Sequence, residues 1–173
     1  MVKEIVKGSW APGAVVWVVM GLAAGPALAQ SAASAAAQSA AGFREFEGSW
    51  SGSGTLSHTD GRTERLRCGA DYVARGDVMS QRLRCRSDTT GFDLINTLRN
   101  EGGRLAGEWA ETTRNVRGPL AGRLGRGSMQ GSAQGPGFSA GISVAVRGNR
   151  QSVSIRSQGG DIAAVSIALV RGR

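Results

Sequence analysis

From Glu47 onward the chain shows no helical period of apolar residues. Short runs alternate apolar and polar positions instead, with glycine-rich punctuation between them. GSWSGSGTLSH (48–58) sets Trp50, Gly52, Gly54 and Leu56 on one side, and TERLRCGADYVA (63–74) does the same for Leu66, Cys68, Ala70 and Tyr72. VMSQRLRCR (78–86) aligns Met79, Gln81, Leu83 and Cys85, and RLAGEWAETTR (104–114) aligns Leu105, Gly107 and Trp109. GFDLINTLRN (91–100) alternates less cleanly, with Phe92, Leu94 and Leu98 set against Ile95. VRGPLAGRL and SMQGSAQ, between Val116 and Gln134, are glycine-rich and carry the weakest alternation. FSAGISVAVR (138–147), QSVSIRSQ (151–158) and DIAAVSIALVR (161–171) are rich in Val and Ile.

Gly148-Asn149 and Gly159-Gly160 separate the last three runs as two-residue hairpin turns. The pattern predicts an all-β fold, an antiparallel up-and-down meander of about eight strands. An open meander leaves two unpaired edges, which closure removes, so a small barrel is expected in preference to a sandwich.

Gly48-Ser49-Trp50, opening the first strand of such a meander, resembles the G-x-W signature of the calycin-like barrels, the lipocalins and avidins. The resemblance implies a barrel that carries small ligands. It also implies that Trp50 plugs one end and that an arginine from a late strand, here Arg171, packs across it. The second lipocalin block, T-D-Y, has no counterpart late in the chain; Asp71-Tyr72 falls in the second strand instead.

RLRC occurs twice, at 65–68 and 82–85. Taking Gly76-Asp77 as a turn puts Arg75 opposite Val78 and, further from the turn, Cys68 opposite Cys85. Alternation of pair type makes that a non-hydrogen-bonded pair, with Cα atoms ~4.5 Å apart, within reach of a disulfide. Two cysteines and one distant histidine do not make a zinc site, so no metal is expected. The same register turns Arg65, Arg67, Arg82, Arg84 and Arg86 outward as a basic face. Asp71 then faces Arg82, but Arg67 faces Arg86, which implies solvent or an anionic envelope partner. The face lacks the interleaved aromatics that stack bases, so nucleic acid is not expected.

The amino end reads as export machinery. Lys3 and Lys7 precede an apolar run, Ala14 to Gly25, and Ala27-Leu28-Ala29 forms an A-x-A site. Residues 1–29 are therefore expected to be a cleaved secretory signal peptide, the run being short of the ~20 residues that span a bilayer. Residues 30–42, QSAASAAAQSAAG, read as an Ala/Ser-rich tether, and 43–173 as one barrel domain. The chain carries a net charge of +8, and beyond the leader every cation is arginine. A periplasmic or secreted bacterial protein follows, with no membrane span in the mature chain and an oxidising setting for the cysteine pair.

Several motifs carry little chemistry. Arg75-Gly76-Asp77 spells an adhesion tripeptide that the turn already explains. Gly137-Phe138-Ser139-Ala140-Gly141 matches G-x-S-x-G, but a β-branched run follows it where a nucleophile elbow needs a helix. His58 lies at the first hairpin's turn, and Glu108 and Glu111 point to opposite faces of one strand. The candidate ligand-binding residues are the inward ones: Trp50, Tyr72, Gln81, Asn96, Trp109 and Glu111. A non-catalytic binding module for a small apolar ligand or envelope component is the leading expectation, with no cofactor. An envelope interaction protein using the basic face is the alternative.

Overall fold

The structure is a computed structural model and describes residues 42–172. The expected signal peptide (1–29) and all but the last residue of the expected tether (30–42) lie outside the described residues. A single 3-10 turn (Phe43–Glu45) leads into ten strands: β1 (Gly48–His58), β2 (Thr63–Arg75), β3 (Val78–Arg86), β4 (Gly91–Glu101), β5 (Arg104–Glu111), β6 (Val116–Gly125), β7 (Ser128–Gly135), β8 (Phe138–Arg147), β9 (Arg150–Gln158) and β10 (Ile162–Arg171). Each strand pairs antiparallel with its sequence neighbours, and β1 pairs with β10, so the meander closes into a barrel.

The expected count of about eight strands becomes ten because both glycine-rich segments are full strands, β6 and β7. Their weak alternation has a steric cause. A Cβ on Gly118 would stand 1.9 Å from the Gln134 carbonyl oxygen, and one on Gly122 would stand 2.2 Å from that of Gln130. Strands that coil this tightly around a barrel need glycine where the backbones approach, and the apolar signal disappears at those positions. The β9–β10 connection also differs from the expected two-residue turn. Three residues, 159–161, lie between Gln158 and Ile162, and both glycines take positive φ.

The RLRC hairpin forms in the expected register: Arg75 opposes Val78, Asp71 opposes Arg82, Arg67 opposes Arg86 and Cys68 opposes Cys85. The cysteines form a disulfide, with Cα atoms 4.2 Å apart. Inward positions supply one continuous core running from Phe43 and Phe46 through Leu66, Met79 and Leu83 to Val165 and Leu169. Followed through all ten registers, the sheet meets β1 again about 12 residues out of step, and this stagger tilts the strands. Rows of directly paired residues therefore run obliquely from one end of the barrel to the other.

Candidate ligand-binding interior

The end of the barrel where β1 begins is plugged. Phe43 and Phe46 are buried there, and Phe46 packs 6.3 Å from the Tyr72 ring. Trp50, 2% exposed, donates its indole N–H to the Phe46 carbonyl at 2.8 Å. Arg171 is Trp50's register partner on β10, and its guanidinium lies 4.2 Å from the centre of the indole ring. It also donates to the carbonyls of Glu45 and Glu47, which holds the entry segment against the last strand.

Four of the candidate residues form one inward row across adjacent strands: Tyr72 opposes Gln81, Gln81 opposes Asn96, and Asn96 opposes Trp109. Direct opposition brings side chains on the same face within reach of one another. Asn96 Nδ2 donates to Gln81 Oε1 at 2.6 Å, and Gln81 Nε2 donates to the Tyr72 hydroxyl at 3.1 Å. That hydroxyl donates in turn to Gln151 Oε1 on β9 at 3.1 Å. Burial holds the Tyr72 phenol well above its ordinary pKa, so it remains a protonated donor. Gln151, 2% exposed, was not among the candidates, and its Nε2 has no hydrogen-bond partner among the described residues. The only sequence signal for it is a polar residue at an inward position of QSVSIRSQ.

Gln81 and Asn96 face a cavity of about 40 Å³. Leu105, Leu120, Met129 and Ile142 line it, together with the facing pair Gly122–Gly131. The volume matches roughly three water-sized spheres and lies far below the ~300–1,000 Å³ of a drug-sized site.

Trp109 and Glu111 do not line the cavity. Trp109 donates to the Gln134 carbonyl at 2.9 Å and meets Phe138 edge-to-face at 5.6 Å, near the end opposite the plug. Glu111 is buried, but its carboxylate serves the adjoining turn. It accepts from the backbone N–H of Asp93, Thr113 and Arg114 and from the Thr113 hydroxyl. Burial opposes its ionisation, and those hydrogen bonds outweigh burial and hold its pKa below the usual carboxylate value.

Near the end opposite the plug, the His58 ring approaches Glu64 Oε1 at 2.7 Å, and the hydroxyls of Ser87, Thr89 and Thr90 all donate to the same carboxylate. Glu64 thereby ties the start of β2 to the β3–β4 loop. Ser87 donates to the carboxylate and accepts from the Thr89 and Thr90 N–H groups, so its hydroxyl also holds the loop backbone. The Ser87, His58 and Thr89 hydrogen bonds lower the Glu64 pKa to about 2. A depressed folded-state pKa stabilises the fold fully above the ordinary value of 4.5 and ceases to do so as pH falls through about 2. Glu64→Gln should therefore flatten the fall in urea midpoint between pH 5 and pH 2 relative to the wild type. Equal slopes would show that Glu64 does not couple to folding.

Three of the five outer arginines meet carboxylates of their own chain. Arg82 binds Asp93 through two hydrogen bonds, which raises the Arg82 pKa, and Arg84 pairs with Asp71 at 3.0 Å. Arg86 crosses Gly91, where any side chain would collide with it, to reach the carbonyls of Cys85 and Phe92. That turn relieves the Arg67–Arg86 opposition and leaves Arg67 85% exposed, 3.7 Å from Asp88. Arg65 is outward and has no ion pair among the described residues.

No family model and no curated protein matches the chain. Solved structures do match it. Rv2717c from M. tuberculosis superposes with a TM-score of 0.63 at 14% identity, over 76% of this chain and 95% of that one. The S-type phycobiliprotein lyase CPES from Guillardia theta gives 0.54 at 12%, over 76% and 90%. A protein of unknown function from the DUF3598 family of Nostoc punctiforme gives 0.54 at 11%, over 75% of this chain and 48% of that one. The likeness is one of fold alone, a lipocalin-like closed antiparallel β-barrel.

Proposed function

We propose that this chain is an exported barrel that binds a small, neutral, mostly apolar molecule in its interior and does no chemistry on it. The observation that carries the reading is the set of carboxamides, Gln81 and Asn96 with Gln130, lining a mostly apolar cavity of about 40 Å³. A few convergent polar groups in an apolar hollow orient a ligand without contributing most of its binding energy. The residues lining the cavity carry no formal charge, which favours a neutral ligand over an ion. Tyr72 supports the site from behind Gln81, and Trp50 closes the plugged end. Export accords with the leader pattern in 1–29 and with the disulfide, since such bonds persist in oxidising compartments.

Met129 on the cavity wall is the flexible side chain that would give way to a slightly larger guest. Titration of isotope-labelled protein with cyclopentanone should shift the side-chain amide signals of Gln81 and Asn96 and the Met129 methyl, and the shifts should saturate. The double variant Gln81→Leu/Asn96→Leu should weaken that binding about tenfold. Shifts that scale linearly with cyclopentanone to its solubility limit and spread over the surface would overturn the reading.

A further inference from the structure

The hydrogen-bonded chain behind the cavity has a direction. As found, the bonds all donate toward β9: Asn96 to Gln81, Gln81 to Tyr72, and Tyr72 to Gln151. The last member then holds a buried N–H₂ group with no acceptor. A buried donor without a partner is the more costly kind of orphan, and a carbonyl oxygen in its place is better tolerated.

The same heavy-atom positions permit the opposite direction, because the oxygen and nitrogen of a carboxamide exchange places on a half turn. In that arrangement Gln151 Nε2 donates to the Tyr72 hydroxyl, Tyr72 donates to Gln81 Oε1, and Gln81 Nε2 donates to Asn96 Oδ1. All three bonds survive, the buried donor gains its partner, and only an acceptor at Gln151 is left over. The other consequence falls at the cavity. As found, Asn96 spends one N–H on Gln81 and leaves its oxygen and its second N–H for the cavity. Reversed, its oxygen is committed and both N–H groups are left for the cavity.

We infer that the occupied barrel runs this chain in reverse, that its ligand is a neutral hydrogen-bond acceptor such as an ether, ketone or ester, and that Tyr72 and Gln151 are positioning residues that set the polarity of the site. The inference rests on the binding role proposed above and adds the ligand's chemical class. A ligand that only donates would have to hold the chain in the direction that orphans Gln151.

Two five-membered rings of similar size separate these possibilities. Tetrahydrofuran only accepts a hydrogen bond, and pyrrole's N–H only donates one. Wild-type protein should bind tetrahydrofuran about tenfold more tightly than pyrrole, read by saturation of the Asn96 side-chain amide shifts. Gln151→Leu removes the group that sets the direction, so the preference should shrink to within about twofold; loss of packing alone would weaken both rings together. If the wild type binds pyrrole as tightly as tetrahydrofuran, the inference fails and the binding role stands. A Gln151→Leu protein that keeps the full preference refutes the positioning role. If neither ring binds, both readings fall. Should Gln151→Leu not fold, the wild-type Gln151 side-chain amide protons decide. A downfield move on adding tetrahydrofuran, absent with pyrrole, supports the reversal, and the converse overturns it.

Discussion

Trp50→Ala should destabilise the barrel by about 3–5 kcal/mol, the range for truncating a buried tryptophan, and lower the melting midpoint by about 10–20 °C for a domain of this size. Trp50 is 2% exposed, and its removal opens a cavity directly beneath Phe46. The same change strips the Arg171 guanidinium of the ring it stacks on and leaves the Phe46 carbonyl without its indole donor. Three contacts at the plugged end thus fail together. Arg171→Met, which keeps the stem and removes the cation, should cost less, about 1–2 kcal/mol, because the indole stays in place. Chemical denaturation of the two variants beside the wild type makes the comparison. A Trp50→Ala midpoint within about 1 kcal/mol of the wild type would show that the plug is not coupled to barrel stability.

Removing the disulfide by Cys68→Ala/Cys85→Ala should cost about 3 kcal/mol and roughly 10 °C of melting midpoint, an entropic figure for a bridge closing a loop of this length. The sequence separation is 17, so the crosslink removes a modest share of unfolded-chain freedom. Its position adds to the effect. Glu64 and its hydroxyl partners lie just beyond the bridge, where β2 and β3 part toward their separate turns. Without the covalent tie, that carboxylate must hold the divergence unaided. Melting with and without reductant should reproduce the variant's shift in the wild type, and an unchanged midpoint in both experiments would refute the role. Two freely reactive thiols in oxidised, purified protein would refute the bond itself.

The architecture was legible wherever side chains mark a face. RLRC…RLRC fixed its own register because a two-residue turn leaves one pairing, and strands such as VMSQRLRCR bury every second residue as written. Where close approach of backbones demands glycine, as in β6 and β7, the signal vanished although the strands did not. Tyr72, Gln81 and Asn96 could be nominated because each is a polar residue on an inward face. Their union into one row could not be read, since it depends on two registers at once. Gln151 was missed because its partner Tyr72 lies 79 residues away. The neutralisation of the outer arginines was hidden for a related reason: Arg82 and Arg84 bind carboxylates on the diagonal, Asp93 and Asp71, rather than only those directly opposite.

The pairing of β1 with β10 sets the order in which the protein can fold. Each other ladder joins strands adjacent in sequence, so it can form as a local hairpin with little chain to gather. The seam from Trp50–Arg171 to His58–Ile162 must instead bring together the two ends of the domain. The entropy of closing so long a loop must be met before a single seam contact is gained. Closure of the seam is therefore the natural rate-limiting event, with Trp50, Arg171 and the Phe46 plug assembling at that step. Substitutions there should slow refolding, whereas those in the inner hairpins should mainly quicken unfolding.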